Sequence, residues 1–325
     1  MCTALLAQSL ESLIQQGHAA LRAGQYAPAA QAFEAAIQLA PGSKPAYSGL
    51  MLAYLKDHRA ADAVRVGTTA VQRWPQDPEL AHYLGTAYMQ TGNPPKAAEQ
   101  LRRAAQFAPR DYDTHYDLAL VLLAQDQYQP AAVALEQAVR LDPSAAIAHL
   151  LLGRAYQNTN KTIDAIEQFK TVLRLDPKIP LGHYHLGFAY GSLGKNREAI
   201  AEYQTELRNG NADAEVYYQL AHLQIELGDL KSAVVNDRAA IARKPRADAY
   251  YDLGKSLALL GDREAARDAL QQAVVLNPND PSAHFQLARV LALLNDAATS
   301  AKEMQIFTQL SKSQQSAGGM ASGRQ

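Results

Sequence analysis

The sequence predicts an all-α solenoid of stacked helical hairpins, and three observations predict it. The first is a proline beat: Pro41, Pro75, Pro109, Pro143 and Pro177 stand 34 residues apart, Asn211 takes the next place, and Pro245 and Pro278 resume the series. The second is an alanine beat of the same period, through Ala29, Ala63, Ala97, Ala131, Ala165, Ala199, Ala233 and Ala266. The third is local. Apolar residues recur at three- and four-residue steps, as in Leu84, Ala87 and Tyr88 and then Ala97, Leu101 and Ala104, with breakers such as "TGN" or "LGD" between the runs. The unit is therefore helix, short turn, helix. One such hairpin cannot bury both of its faces, so the units stack.

Nine units follow in order, near 10–43, 44–77, 78–111, 112–145, 146–179, 180–213, 214–246, 247–280 and 281–310. Residues 1–9 extend the first helix. Small residues let the two backbones of a hairpin approach: Gly17 in the first unit, Gly85 in the third, Gly153 in the fifth, Gly187 in the sixth and Gly254 in the eighth, with Ala119, Ala221 and Ala288 in the fourth, seventh and ninth. Tyr54, Tyr88, Tyr156 and Tyr190 keep a further phase of the same period. Proline at the end of a unit forbids helix continuation. The sixth unit departs from the pattern. Glu206 replaces a small residue, Asn211 replaces the proline, and Asn209-Gly210 is a turn signal. In the seventh, Asp237 stands where a bulky apolar side chain fills the joint, which is costly unless the carboxylate stays wet or finds a partner. The softest internal joint is therefore expected over 206–213. In the ninth unit Leu287, Ala288 and Leu291 keep the pattern. Its second helix, about 296–313, is expected to turn Met304, Phe307 and Leu310 inward and Lys302, Glu303, Gln305 and Gln309 to water. Residues 311–325 read as a disordered tail.

"YLGTAYMQTGNPPKAAEQLRRAAQFAP" and "LLGRAYQNTNKTIDAIEQFKTVLRLDP", with L-G-x-x-Y, then Ala, a bulky residue and Pro over 34 positions, resemble the tetratricopeptide repeat. The resemblance covers about residues 10–310. It implies a right-handed superhelix whose first helices line a concave groove, and the non-catalytic binding of another protein there, as an extended peptide or a helix. The groove positions it implies are His82, Tyr83, Tyr116, Leu150, Arg154, Tyr184, His185, Phe188, Tyr218, His222, Tyr251, Lys255, Phe285 and Arg289. Arg154, Lys255 and Arg289 would be its basic points, with Asp117 and Asp252 facing them. Two readings of the rings stay open, contact with a partner and packing on the neighbouring unit. The family's clamp for chaperone C-terminal carboxylates is missing: Ile14 with His18, Gly49, and Glu79 with Tyr83 stand where its Lys, Asn and Arg residues would be.

Composition excludes several other functions. Thirty-one basic and 32 acidic residues give a net charge of −1, too little field to attract nucleic acid or an anionic membrane. No apolar run approaches the roughly 20 residues that span a bilayer. The one cysteine, Cys2, leaves no disulfide framework or cysteine zinc site. No catalytic motif is present, so neither an enzyme nor a cofactor is expected. His115, His149, His183 and His284 recur at the fourth position of their units and read as ring packing between helices, because ligands 34 residues apart do not converge on one metal. Glu79, Asp113, Glu215 and Asp248 sit in first helical turns, where they favour the positive end of the dipole. The expected compartment is the cytoplasm. Export is the alternative if "ALLAQ" ends a cleavage region that begins upstream of Met1. The alternative functions are a regulatory or substrate-recruiting solenoid detached from a larger enzyme and a self-associating structural module.

Overall fold

A computed structural model of the chain describes the backbone of residues 2–321 and the side chains of residues 9–314. Among the described residues there are eighteen helices and no strand. They pair as hairpins: α1 (Cys2–Arg22) with α2 (Tyr26–Leu39), α3 (Lys44–Lys56) with α4 (Ala60–Arg73), α5 (Pro78–Gln90) with α6 (Pro94–Phe107), α7 (Tyr112–Leu123) with α8 (Tyr128–Leu141), and α9 (Ala146–Gln157) with α10 (Thr162–Leu175). These form one compact unit, ending at Leu175. A second begins at Asp176 and holds α11 (Gly182–Ser192) with α12 (Asn196–Arg208), α13 (Ala214–Glu226) with α14 (Leu230–Arg243), α15 (Ala247–Leu260) with α16 (Arg263–Leu276), and α17 (Pro281–Leu293) with α18 (Ala297–Ala321). The fold is an all-α solenoid of helical hairpins.

Each hairpin turns on one residue with a left-handed backbone. These are Gly24, His58, Gly92, Asp126, Asn160, Gly194, Gly228, Gly261 and Asn295, with φ between 55° and 89°. Glycine adopts that region freely, and Asn and Asp tolerate it better than other residues. The turn residue is thus as periodic as the proline, although four of its nine occupants carry side chains.

One position of the second helix fills each joint. Phe33, Leu101, Leu135, Phe169, Tyr203 and Leu270 occupy it and are essentially fully buried. Five of them lie on the small residue of their own first helix. A Cβ at Gly17 would come within 2.6 Å of Phe33, at Gly85 within 2.6 Å of Leu101, at Gly153 within 2.5 Å of Phe169, at Gly187 within 2.9 Å of Tyr203, and at Gly254 within 2.6 Å of Leu270. In α4 the position is Gly67, and Met51 and Leu84 grow into the space instead. In α14 it is Asp237, which is fully buried with neither carboxylate oxygen hydrogen-bonded.

Three expectations need correction. Glu206 is an anchor: it is fully buried, and its carboxylate accepts the backbone N–H groups of Leu181 at 2.7 Å, His183 at 3.0 Å and Tyr184 at 3.3 Å. It thereby satisfies the first turn of α11, whose N-cap residue Leu181 makes no side-chain cap. In α18, Glu303 turns inward to His284 at 2.5 Å and Met304 is exposed, because the histidine offers the carboxylate a partner. The helix also continues past 310 to Ala321, since no strong breaker precedes Gly318-Gly319; residues 322–325 lie outside the described part.

The fourth-position histidines are bridges rather than plain packing rings. Nε2 of His115, His149 and His284 donates to the carbonyl of Pro109, Pro143 and Pro278, at 3.2, 3.2 and 2.9 Å. Nδ1 of His149 lies 2.7 Å from Gln168, and that of His183 lies 2.6 Å from Glu202. Each such imidazole ties its first helix to the preceding loop, to the second helix, or to both.

Candidate functional site

The first helices of successive hairpins lie side by side within each unit: α1, α3, α5 and α7 in the first, and α11, α13, α15 and α17 in the second. Their free faces carry the residues singled out in the sequence.

In the first unit a cavity of about 260 Å³ is lined by α3, α5 and α7 alone, including His82, Tyr83 and Asp117. His82 is the best-connected side chain there. Its Nε2 donates to Asp117 at 2.9 Å; its Nδ1 lies 3.2 Å from the Thr114 hydroxyl, to which it donates when the ring is protonated, and that hydroxyl donates to Asp111. Burial alone would lower the His82 pKa, but the Asp117 hydrogen bond and the charges of Asp117, Asp111 and Asp113 more than offset it and raise it. Tyr83 donates to Glu79 at 3.1 Å, and burial with that carboxylate pushes its phenol up to about 12. Tyr116 stacks on Tyr112 at 5.7 Å. Leu150 is half-buried and Arg154 is exposed on α9.

In the second unit Tyr184 of α11 touches the rings of His185 at 5.2 Å, Tyr203 at 5.8 Å and Phe188 at 6.4 Å. Phe188 is 42% exposed, whereas Tyr184 is half-buried and burial pushes its phenol up to about 12. Tyr218 of α13 lies under the Arg246 guanidinium, 4.2 Å from ring centre to Cζ, and burial raises its pKa strongly. His222, one turn on, donates Nδ1–H to Asp252 of α15 at 3.2 Å; that bond raises its pKa. Tyr251 and Lys255 of α15 are half-buried. Phe285 of α17 meets Phe307 of α18 at 5.1 Å, and the Arg289 guanidinium lies 5.7 Å from its ring. The rings thus do both jobs that the sequence left open. Tyr184 and Phe285 pack on second helices, while Phe188 offers its face to solvent.

The acids do not face the expected cations. Asp117 is taken by His82 and Asp252 by His222, and no ion pair joins either to Arg154, Lys255 or Arg289 among the described residues. The residue that sequence reasoning missed is Arg246. It precedes α15, grips Asp248 through two bonds of 2.6 Å, reaches Glu215 of α13, and covers Tyr218. Glu215 and Asp248, read as dipole partners, are its counter-ions. The signal was an arginine directly before a helix with two first-turn carboxylates one unit apart. No group of three His, Cys, Asp or Glu able to hold a metal occurs among the described residues, and no described helix is long and apolar enough to cross a membrane. What the face presents is rings, hydrogen-bonding edges and unpaired cations, a chemistry of non-covalent binding.

The description "Tetratricopeptide repeat" matches residues 14–78, 116–180 and 151–214, just over half of the chain, and two further repeat descriptions of that name match 214–246 and 247–290. "Anaphase-promoting complex, cyclosome, subunit 3" matches residues 56–138. No curated protein matches. Among solved structures, YrrB, a TPR protein with an unusual peptide-binding site, is 25% identical with a TM-score of 0.50 over 57% of this chain and 96% of its own. The APC/C hetero-tetramer Cut9-Hcn1 is 16% identical with a TM-score of 0.51 over 82% of this chain and 52% of that one. A tetratricopeptide repeat protein from Parabacteroides merdae is 15% identical with a TM-score of 0.50 over 77% and 99%. The last two likenesses are of fold alone. The chain belongs to the tetratricopeptide repeat family, whose fold is a scaffold for protein–protein interaction.

Proposed function

We propose that this protein is a non-catalytic adaptor that holds an extended peptide or a helix of a partner protein against the first helices of its second unit. The observation that carries the reading is the row Tyr184, Tyr218, Tyr251 and Phe285 on four neighbouring first helices, with Phe188 exposed beside it and, among the described residues, no ion pair to Lys255 or Arg289. Half-buried aromatic rings supply contact area at low entropic cost, and unpaired cations select among acidic groups on a ligand. The likeness to YrrB, itself described by its peptide-binding site, supports the same reading. His185 and His222 would border this surface within the second unit; His82, Tyr83, Tyr116, Leu150 and Arg154 stand on first helices of the first unit and would form a candidate face of their own. The test uses peptides selected from a random library on the full chain. Replacing Tyr184 and Tyr218 together by alanine should leave helicity intact and weaken a selected peptide by more than ~2 kcal/mol, about thirtyfold. Unchanged affinity would place the ligand on another face and end the proposal.

A further inference from the structure

Among the described residues, Asp237 is the one at the joint position of a second helix that carries a charge-bearing group. Val234 and Ala240, three residues to either side on the same face of α14, are buried, and Val234 packs with Leu253 and Leu257 of α15. Asp237 therefore interrupts a packed interior with two oxygens that no hydrogen bond satisfies. The groups that face it from α15 are the like-charged Asp252 and Asp248; from α13 they are Tyr218 and, through Asp252, His222; Arg246 stands before α15, held by Asp248 and Glu215. None of these is placed to bond it.

We propose that the joint of α13, α14 and α15 is a proton-controlled seal, closed while the Asp237 carboxyl is protonated and loosened when it ionises beside Asp252 and Asp248. A neutral carboxylic acid is tolerable among apolar side chains, but a carboxylate there has no partner and two repelling neighbours. Burial, with those two charges, pushes Asp237 up to about 8, which places its titration within reach of neutral pH. Asp252 links the seal to the face above, because it also holds His222 on α13, and Tyr218 and Tyr251 stand on the two helices that would shift. The consequence for binding rests on the adaptor reading; the proton dependence of the joint does not.

The test is hydrogen exchange of the full chain at pH 6.5 and pH 9, corrected for intrinsic rates. Protection of α14 and α15 should fall at least tenfold at the higher pH relative to α5 and α6, whose joint carries Leu101. Asp237→Asn, neutral at both pH values, should show no such fall, and Asp237→Leu serves if the amide does not fold. His222→Gln should keep the fall. No loss of protection in the wild type, an equal loss in both Asp237 variants, or a loss that disappears in His222→Gln would each overturn the proposal. A selected peptide whose affinity drops at pH 9 in the wild type but not in Asp237→Asn would tie the seal to the binding face. A peptide that binds elsewhere would defeat the adaptor reading and leave the exchange result standing.

Discussion

Two histidine–aspartate clasps join neighbouring first helices, one in each compact unit, and they differ in what lies behind them. His82 and Asp117 bind α5 to α7 at 2.9 Å, and between those helices α6 inserts the fully buried Leu101. His222 and Asp252 bind α13 to α15 at 3.2 Å, and there α14 inserts Asp237, equally buried and without a partner. The surface chemistry is the same and the support is opposite. In a solenoid, stability is close to a sum of unit and neighbour-interface terms. The strength of a pair on the face is therefore set by the second helix beneath it. A leucine offers dispersion contacts and no desolvation cost. A carboxyl offers few contacts and demands either a proton or a hydrogen bond.

Exchanging the supports should break the comparison most visibly. Leu101→Asp puts an unpaired carboxyl into the first unit and should cost roughly 3–5 kcal/mol, the range for an uncompensated buried charge. An unchanged urea midpoint would show that the joint position is not what holds α5 to α7. Asp237→Leu should stabilise the second unit by about 1–4 kcal/mol, because the fourth unit, whose small residue is likewise an alanine (Ala119, as Ala221 is here), holds the fully buried Leu135 at the same position. That gain carries a pH signature. The folded-state pKa of Asp237 lies above its ordinary value of 3.8, so the wild type loses stability as pH climbs from about 4 through about 8. The difference between Asp237→Leu and wild type should grow over that window and then level off. Urea titrations at pH 5 and pH 8.5 that gave equal differences would contradict it.

The clasps themselves should contribute less. His82 has a raised pKa, so its pair with Asp117 stabilises fully below about pH 6.5 and is lost as pH rises through the raised value. Asp117→Asn should therefore cost about 1 kcal/mol near pH 5.5 and almost nothing near pH 9. The corresponding effect at His222 should be smaller, since that ring is 46% exposed and screened. A cost independent of pH would mean that Asp117 acts by packing alone.

The sequence made the fold legible because its structural demands recur. Closeness of two backbones calls for Gly or Ala at Gly85 or Ala97, and the end of a hairpin calls for proline at Pro109, so both repeat every 34 residues. The turn position was less visible, because His58, Asp126 and Asn160 share a backbone conformation with Gly24 and not a side chain. The partnerships of the face were not legible. Whether Asp252 meets Lys255, three residues on, or His222, thirty residues back, depends on how neighbouring helices are set against each other, which no local pattern records. Glu206 is the clearest case. As a departure from the repeat it signalled a defect, yet three backbone N–H groups from another helix make it an anchor. Asp237 departed in the same way and found no such partners. Only the facing element distinguishes the two.

The central claim is that the first-helix face of the second unit holds the partner while the second helices build the joints. Tyrosine footprinting of the full chain, with and without a saturating selected peptide, tests it most directly. Tyr184, Tyr218 and Tyr251 on α11, α13 and α15 should lose reactivity when the peptide is bound, and Tyr26 and Tyr128, which begin the second helices α2 and α8, should keep theirs. Protection of Tyr26 or Tyr128 with Tyr184, Tyr218 and Tyr251 unchanged would contradict the account.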